Sequence, residues 1–435
     1  MRFKAGASVA LSLAVLSFAA TPASATDGHF LHGIGAVNSA MGGAGVAYTG
    51  DLLGALHLNP AALHAGEGTR AVLSFELFKA DRTVSSIHPM GASGSTQSKS
   101  EFVPVPAFAW STSLSEKVTV AFGGLGIGGF GVDYPQDNSN PILGPRQMGG
   151  FGQVYSNFSL MKITPAIAFE ATDKLQLGFA VNIDWSSLAV DPFPAASPAF
   201  DPNTMTQMYS SATSADGAFG FGFQAGLLYK ATDNLNVGLS YSSTQNFQDY
   251  EFNTTYANPN LTNFGQARTI TFAMDAPAIY TGGIAYQSES LVFTADAKYI
   301  TYSSTDGFQD AGFDQTGAVT GFGWDDIWVY AAGLQFEATD DVFLRAGWNY
   351  SENPIPDANS LFNIPAPAIV QQHATFGFGF MPFDNVQVDL GYYHVFENEI
   401  AGPMFGPTGP IQGSEVKSSM FEDSFLMTFQ FTPGG

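Results

Sequence analysis

From residue 70 onward, apolar and polar positions alternate with a period of two. Leu175, Leu177, Phe179, Val181, Ile183 and Trp185 fall on one face of an extended chain, and Gln176, Gly178, Ala180, Asn182 and Asp184 on the other. Phe219, Phe221, Phe223, Leu227 and Tyr229 alternate in the same way with Gly220, Gly222, Gln224 and Gly226. Val342, Leu344, Ala346, Trp348 and Tyr350 alternate with Phe343, Arg345, Gly347 and Asn349, and Phe425, Met427, Phe429 and Phe431 close the series. A face that stays apolar and aromatic for roughly ten residues, backed by a polar or glycine face, is the signature of a membrane-crossing β-strand. The pattern predicts about 14 strands, near 70–81, 101–112, 117–127, 153–169, 174–186, 217–230, 234–248, 267–286, 290–303, 324–337, 341–351, 369–381, 385–397 and 414–431.

The connections fall into two kinds. Glu170-Ala-Thr-Asp-Lys174, Lys230-Ala-Thr-Asp-Asn234, Glu337-Ala-Thr-Asp-Asp341, Met381-Pro-Phe-Asp-Asn385 and Ser113-Leu-Ser-Glu-Lys117 read as tight hairpins, because Asp, Asn and Thr side chains bond the backbone of short turns. Between them run long stretches rich in Pro, Gly, Asn and Ser, at 83–100, 130–152, 187–216, 249–265, 304–323, 352–368 and 398–413. Short turns on one side and long loops on the other are the habit of an outer-membrane barrel. The expected fold is therefore all-β: a transmembrane antiparallel β-barrel, with the even strand count leaving both barrel ends on one side.

Composition sharpens this. Charged residues are 12% of the 435-residue chain, and hydrophobic residues 45%. A soluble protein carries about twice that charge, and a helical membrane protein shows apolar runs of about 18 residues or more. None follows residue 25. The 39 Phe and 16 Tyr suit a lipid-facing wall with aromatic girdles. The net charge of −23 argues against nucleic acid as a partner. The chain has no cysteine, so disulfides and thiolate metal sites are excluded. Arg2 and Lys4, the apolar stretch 9–20 and Ala23-Ser24-Ala25 read as a cleavable export signal over residues 1–25.

The segment 28–62 lies between this signal and the first strand and lacks the alternation. A barrel of this size encloses more space than its inward side chains fill. Residues 26–69 are therefore expected to form a hatch inside the lumen of a barrel spanning 70–435.

Candidate chemistry is sparse. Gly126, Gly128 and Gly131 match the dinucleotide fingerprint, but Val132-Asp-Tyr-Pro135 does not open the helix that would hold a pyrophosphate. His29, His32, His57 and His64 cluster in the hatch sequence without the spacing of a metal site, so no metal and no cofactor is expected. Asp325, Asp326, Asp340 and Asp341 sit in predicted turns and rims. No Ser/His/Asp arrangement is identifiable, and the chain is not expected to be an enzyme.

Gly33-Ile-Gly35, Ala40-Met-Gly-Gly-Ala-Gly-Val-Ala47, Asp51 and Asn59-Pro60-Ala61-Ala62-Leu63 resemble the N-terminal hatch of the FadL/TodX outer-membrane transporters of long-chain fatty acids and other hydrophobic compounds. The resemblance implies gating residues in the hatch (Asn59, Pro60, Ala61, Gly42 and Gly43), with Asn59-Pro60-Ala61 facing the third strand. It also implies a third strand kinked inward to open a hole in the wall. Phe122, Gly123, Gly124, Gly126, Gly128 and Gly129 occupy that place here, and glycine weakens a strand. The family's last strand ends on an aromatic residue; Phe431 is followed here by Thr432-Pro433-Gly434-Gly435.

An apolar ligand would first settle on an apolar loop surface, for which Leu188, Val190, Phe193, Phe200, Met205 and Met208 are the candidates. The expected function is passive uptake of long-chain fatty acids or similar hydrophobic molecules by a monomer in a Gram-negative outer membrane, in contact with lipid and lipopolysaccharide. Uptake of aromatic or aliphatic hydrocarbons, or a structural or adhesive barrel, are the alternatives.

Overall fold

The computed structural model describes residues 27–63, 68–99, 101–406 and 409–433. The expected export signal lies outside them, as do His64, Gly434 and Gly435. Fourteen antiparallel strands form one closed barrel. They are β1 (Thr69–Ile87), β2 (Val103–Ser115), β3 (Val118–Tyr134), β4 (Val154–Thr172), β5 (Leu175–Asp191), β6 (Ala212–Lys230), β7 (Leu235–Ser242), β8 (Ile279–Gln287), β9 (Leu291–Ile300), β10 (Ile327–Thr339), β11 (Val342–Ser351), β12 (Gln372–Phe383), β13 (Val386–Gly402) and β14 (Glu415–Phe431). Each pairs with its neighbours in sequence, and β14 returns to β1 in a register running from Ala71 opposite Phe431 to Ile87 opposite Glu415.

The alternation in sequence is an inside-out one. Phe179, Val181, Phe219 and Phe221 are exposed on the outer wall, while Asn182, Asp184 and Gln224 are buried within. Lipid is the solvent of the outer face, so apolar side chains face out and polar ones face the lumen. Strands of 17 and 19 residues such as β5 and β4 exceed the roughly ten needed to cross, and their surplus rises on the long-loop side.

Two departures from expectation occur there. The predicted strand 267–286 is two elements: Ala267–Phe272 pairs with Tyr250–Thr255 in a separate hairpin, and only Ile279–Gln287 joins the wall. Pro277 lies in the break and has no N–H for a ladder, and Asp275 takes the Phe247 amide at 2.8 Å just beside it. The predicted strand 234–248 likewise leaves the β7–β8 ladder at Ser242. The long loops also fold over the mouth rather than standing in water. Phe193, Tyr250, Phe252, Tyr302, Phe308 and Trp324 are among the largest fully buried side chains.

Inside the barrel, residues 27–63 contain two short helices, α1 (Gly35–Ala40) and α2 (Leu52–Leu58), and a single 3-10 turn at Pro60–Ala62. Asp51 caps α2 through the Leu53 amide. α1 packs on β11, β12, β13 and β14, and α2 on β2 and β3.

Candidate functional site

The hatch is fixed to the wall by inward polar side chains of the strands. Asp296 on β9 accepts from the amides of Gly45 and Val46 at 2.7 and 2.9 Å. Thr428 on β14 accepts from Ala36 N at 2.8 Å. Thr375 on β12 donates to Ala40 O and accepts from Gly42 N. Gly42 and Gly43 have φ of +70° and +77°, and a side chain at Gly42 would strike the Trp348 backbone of β11. Gly42 lets the hatch backbone lie directly on the wall, and Gly43 lets the hatch fold back on its own backbone at His32. Asp296, Thr375 and Thr428 escape a sequence reading because every strand has polar residues on its inward face.

Asn59 is the most connected hatch side chain. Its carboxamide oxygen accepts from Ala61 N at 3.0 Å, and its nitrogen donates to Val46 O at 2.7 Å and to Leu227 O of β6 at 3.2 Å. Pro60 opens the 3-10 turn, where its missing N–H costs nothing. Side chains at Gly226 and Gly178 would overlap Asn59 and Ala61. The seat of Asn59-Pro60-Ala61 is therefore on β5 and β6. The expectation that this motif faces the third strand is corrected: Leu56 of α2 is the residue against Gly123 of β3. Sequence spacing does not encode where around the barrel each hatch residue comes to rest.

The third strand is irregular where its glycines lie. The β2–β3 ladder runs from Ser115 opposite Val118 to Ala107 opposite Leu125 and stops. Val103 to Pro106 of β2 remain paired with β1 alone, and two of these four residues are prolines, Pro104 and Pro106. Against β4 the register slips between Gly126 and Gly128. Positions 123–132 are all buried, so the strand has lost its lipid face and lies inside the cylinder. Its freed edge is taken by the hatch: Leu31 N donates to Ile127 O and Gly129 N to His29 O, both at 2.9 Å. Phe122, below the kink, still faces lipid at 40% exposure.

A chain of cavities leads down to this kink. A depression of about 450 Å³ opens among the outer loops, where Met205 is exposed and Met208 buried. Tyr209, Phe313 and Leu361 line both it and an apolar chamber of about 60 Å³. Pro194, Val319, Phe362 and Pro365 are shared in turn with a deeper chamber of about 40 Å³. The deeper chamber ends at Phe130 of β3, whose ring packs 4.9 Å from Phe158. The six apolar residues predicted as a capture surface thus divide. Leu188, Val190 and Phe193 are buried and line the deeper chamber, Met205 and Met208 line the outer depression, and Phe200 is exposed. The first three are not surface residues, because the overhanging loops bury the upper ends of β4–β6.

Two of the hatch histidines, His29 and His32, are packed among aromatic rings, and His32 also lies 5.2 Å from His373 between ring centroids. His29 stacks on Phe308 with ring centroids 4.8 Å apart, and its Nδ1 shares a hydrogen bond with the Tyr302 hydroxyl. His32 bonds Ser39 O at 3.1 Å and lies edge-on to Tyr393. Burial pushes His29 down to about 3, and burial only partly offset by Asp27 pushes His32 down to about 4. Among the described residues no group of three or more His, Cys, Asp or Glu could hold a metal ion. Asp326 bonds Tyr299 and Ser303, and Asp340 and Asp341 sit at the β10–β11 turn.

A capped, plugged barrel with an inside-out wall is an outer-membrane transport protein. Residues 16–405 match the outer-membrane transport proteins described as OMPP1/FadL/TodX, and the chain belongs to that family. Solved structures share the fold. The Pseudomonas putida toluene transporter TodX aligns over 93% of this chain and 100% of its own, at 21% identity and a TM-score of 0.70. A Pseudomonas aeruginosa FadL homologue aligns over 95% and 99%, at 17% and 0.70. The Ralstonia pickettii toluene transporter TbuX aligns over 92% and 99%, at 19% and 0.65. No curated protein sequence matches.

Proposed function

We propose that this barrel carries hydrophobic molecules, long-chain fatty acids or similar compounds, from the outer surface into the lipid of the outer membrane. The observation that supports this most is the β2–β3 ladder ending at Ala107 opposite Leu125, with the freed edge held by hatch residues. The ligand enters the loop depression at Met205 and Met208, passes the apolar chambers to Phe130, and leaves sideways between β2 and β3. Little of that path is water, so an apolar solute is never driven through an aqueous pore. The hatch need only release Leu31 and His29 from β3. The movement is downhill and is not coupled to ATP. Hatch, chambers and gap all come from one chain, so a monomer suffices, with lipid and lipopolysaccharide around it.

The test narrows the gap. A side chain at Gly126 would stand 2.6 Å from Val105 Cγ1 on β2. Gly126→Val is expected to slow uptake of a radiolabelled long-chain fatty acid several-fold in cells lacking other carriers, with the folded barrel still made in normal amounts. Undiminished uptake would sink the lateral exit. The aromatic lining at Phe130, Phe322 and Phe362 favours a second reading, in which aromatic hydrocarbons take the same path. Uptake compared across fatty acids of several lengths and a monoaromatic hydrocarbon separates the two.

A further inference from the structure

One lumen cavity lies beside the apolar chambers and meets the route only at the kink, through Leu31 and Ile127. It measures about 50 Å³ and lies between the hatch and the inward faces of β4 to β9. Its wall holds buried polar atoms with no partner: both carboxyl oxygens of Asp184, the carboxamide oxygens of Gln224 and Gln245, one carboxyl oxygen of Asp27, the amide nitrogen of Asn182, and His57 Nδ1, which donates or accepts by tautomer. Buried polar atoms are rarely left this way, and a cluster of them points to a missing partner.

That partner can be characterised. Gln224 Nε2 faces His57 O, and Gln245 Nε2 faces Ser243 O. A carbonyl can only accept, so both amide orientations are fixed and both orphaned atoms are acceptors. The orphans are therefore mostly acceptors, and what fills the cavity must donate. The charges on the wall already cancel. Lys298 pairs with Asp27 at 3.1 Å, and Lys162 stands opposite Asp184 in the β4–β5 register. A carboxylate would bring two more acceptors and an uncompensated negative charge to a wall whose orphaned atoms are already mainly acceptors. The side of the cavity nearest the kink is apolar, made by Phe30, Leu31 and Ile127.

We propose that this cavity binds the hydroxyl of a hydrophobic alcohol or phenol. The O–H donates to Asp184 or Gln224, its oxygen accepts from Lys162 or Asn182, and the apolar body lies along Leu31 and Ile127 toward β3. The inference rests on the transport reading and adds to it a preference among hydrophobic ligands.

The experiment is equilibrium binding of 1-dodecanol, dodecane and dodecanoate to the full-length protein at pH 7.5, together with uptake of the same three. Dodecanol is expected to bind about tenfold more tightly than either chain-matched compound, the scale of one satisfied buried polar site. The double variant Lys162→Met/Asp184→Leu removes donor and acceptor together and keeps the wall neutral. It is expected to lose the dodecanol preference while dodecane binds and crosses as before. Its fold is checked by the electrophoretic shift between unheated and heated samples, and Gln224→Met serves as a milder second variant. Tighter binding of dodecanoate, or a preference that survives both variants, overturns the proposal and leaves the transport reading intact. Equal binding of all three, with ordered waters on Asp184 in a crystal structure, also overturns it. If none of the three binds or crosses, the transport reading fails with it.

Discussion

Asn59 joins the hatch to itself and to β6 through one carboxamide, and no other residue type of that size supplies a donor and an acceptor in that geometry. Asn59→Ala takes this partner from Ala61 N and Val46 O in a buried place and removes the added contact to the Leu227 carbonyl of the wall. A loss of about 2–3 kcal/mol in the seating of the hatch is expected, since each buried orphan costs on the order of 1 kcal/mol or more. The readout is faster hydrogen exchange at amides 44–63 with the barrel amides unchanged. Gly226→Ala pushes a methyl into the same carboxamide and is expected to give the same phenotype. The two substitutions should not add, because they remove one interaction. Of this site, the resemblance in sequence picked out Asn59-Pro60-Ala61 as part of the hatch. It did not show the partner, because Leu227 contributes only a carbonyl and Gly226 only the absence of a side chain.

At the scale of elements, strands were legible and their upper continuations were not. Within the membrane, lipid and lumen impose opposite polarity on successive residues, so β5 and β6 can be read directly. Above it, Leu188, Val190 and Phe193 are apolar on every face, because overhanging loops replace both solvents. The hatch is a third case: its helices have six and seven residues, too short to show a helical period. Its packing does carry a pH consequence. His32 is held near 4 in the seated hatch against about 6.5 when free. The withdrawn hatch therefore binds the extra proton between these values, so seating is strongest above pH 6.5 and weakens as pH falls toward 4. The expected slope is about 1.4 kcal/mol per pH unit for this histidine. Asp27 and Lys298, the charged groups nearest His32, act in opposite directions. Between pH 7.5 and 4.5 the protease sensitivity of the hatch should rise less in His32→Gln than in the unchanged protein, the remainder coming from His29, which burial shifts in the same direction.

For the whole molecule, a wall of fourteen strands, a seated hatch and a loop cap together make a barrel closed to ions. Reconstituted in a planar bilayer, the protein is expected to show almost no steady conductance. Deletion of residues 27–63 is expected to produce a large one in whatever fraction still folds. Open-channel currents in the intact protein would mean that the hatch does not block the lumen. Zinc is expected to leave the melting temperature unchanged, because among the described residues no three His, Cys, Asp or Glu side chains come together around one point.

The pairing of the hatch with β3 has one more consequence. A buried backbone amide or carbonyl left without a partner costs about 1–3 kcal/mol. Ile127 O and Gly129 N find their partners on Leu31 and His29, not on β2. The cylinder is therefore not complete until its own N-terminal segment is in place. A chain lacking residues 27–63 is therefore expected to assemble its third strand less completely, read as a lower yield of the heat-modifiable folded form.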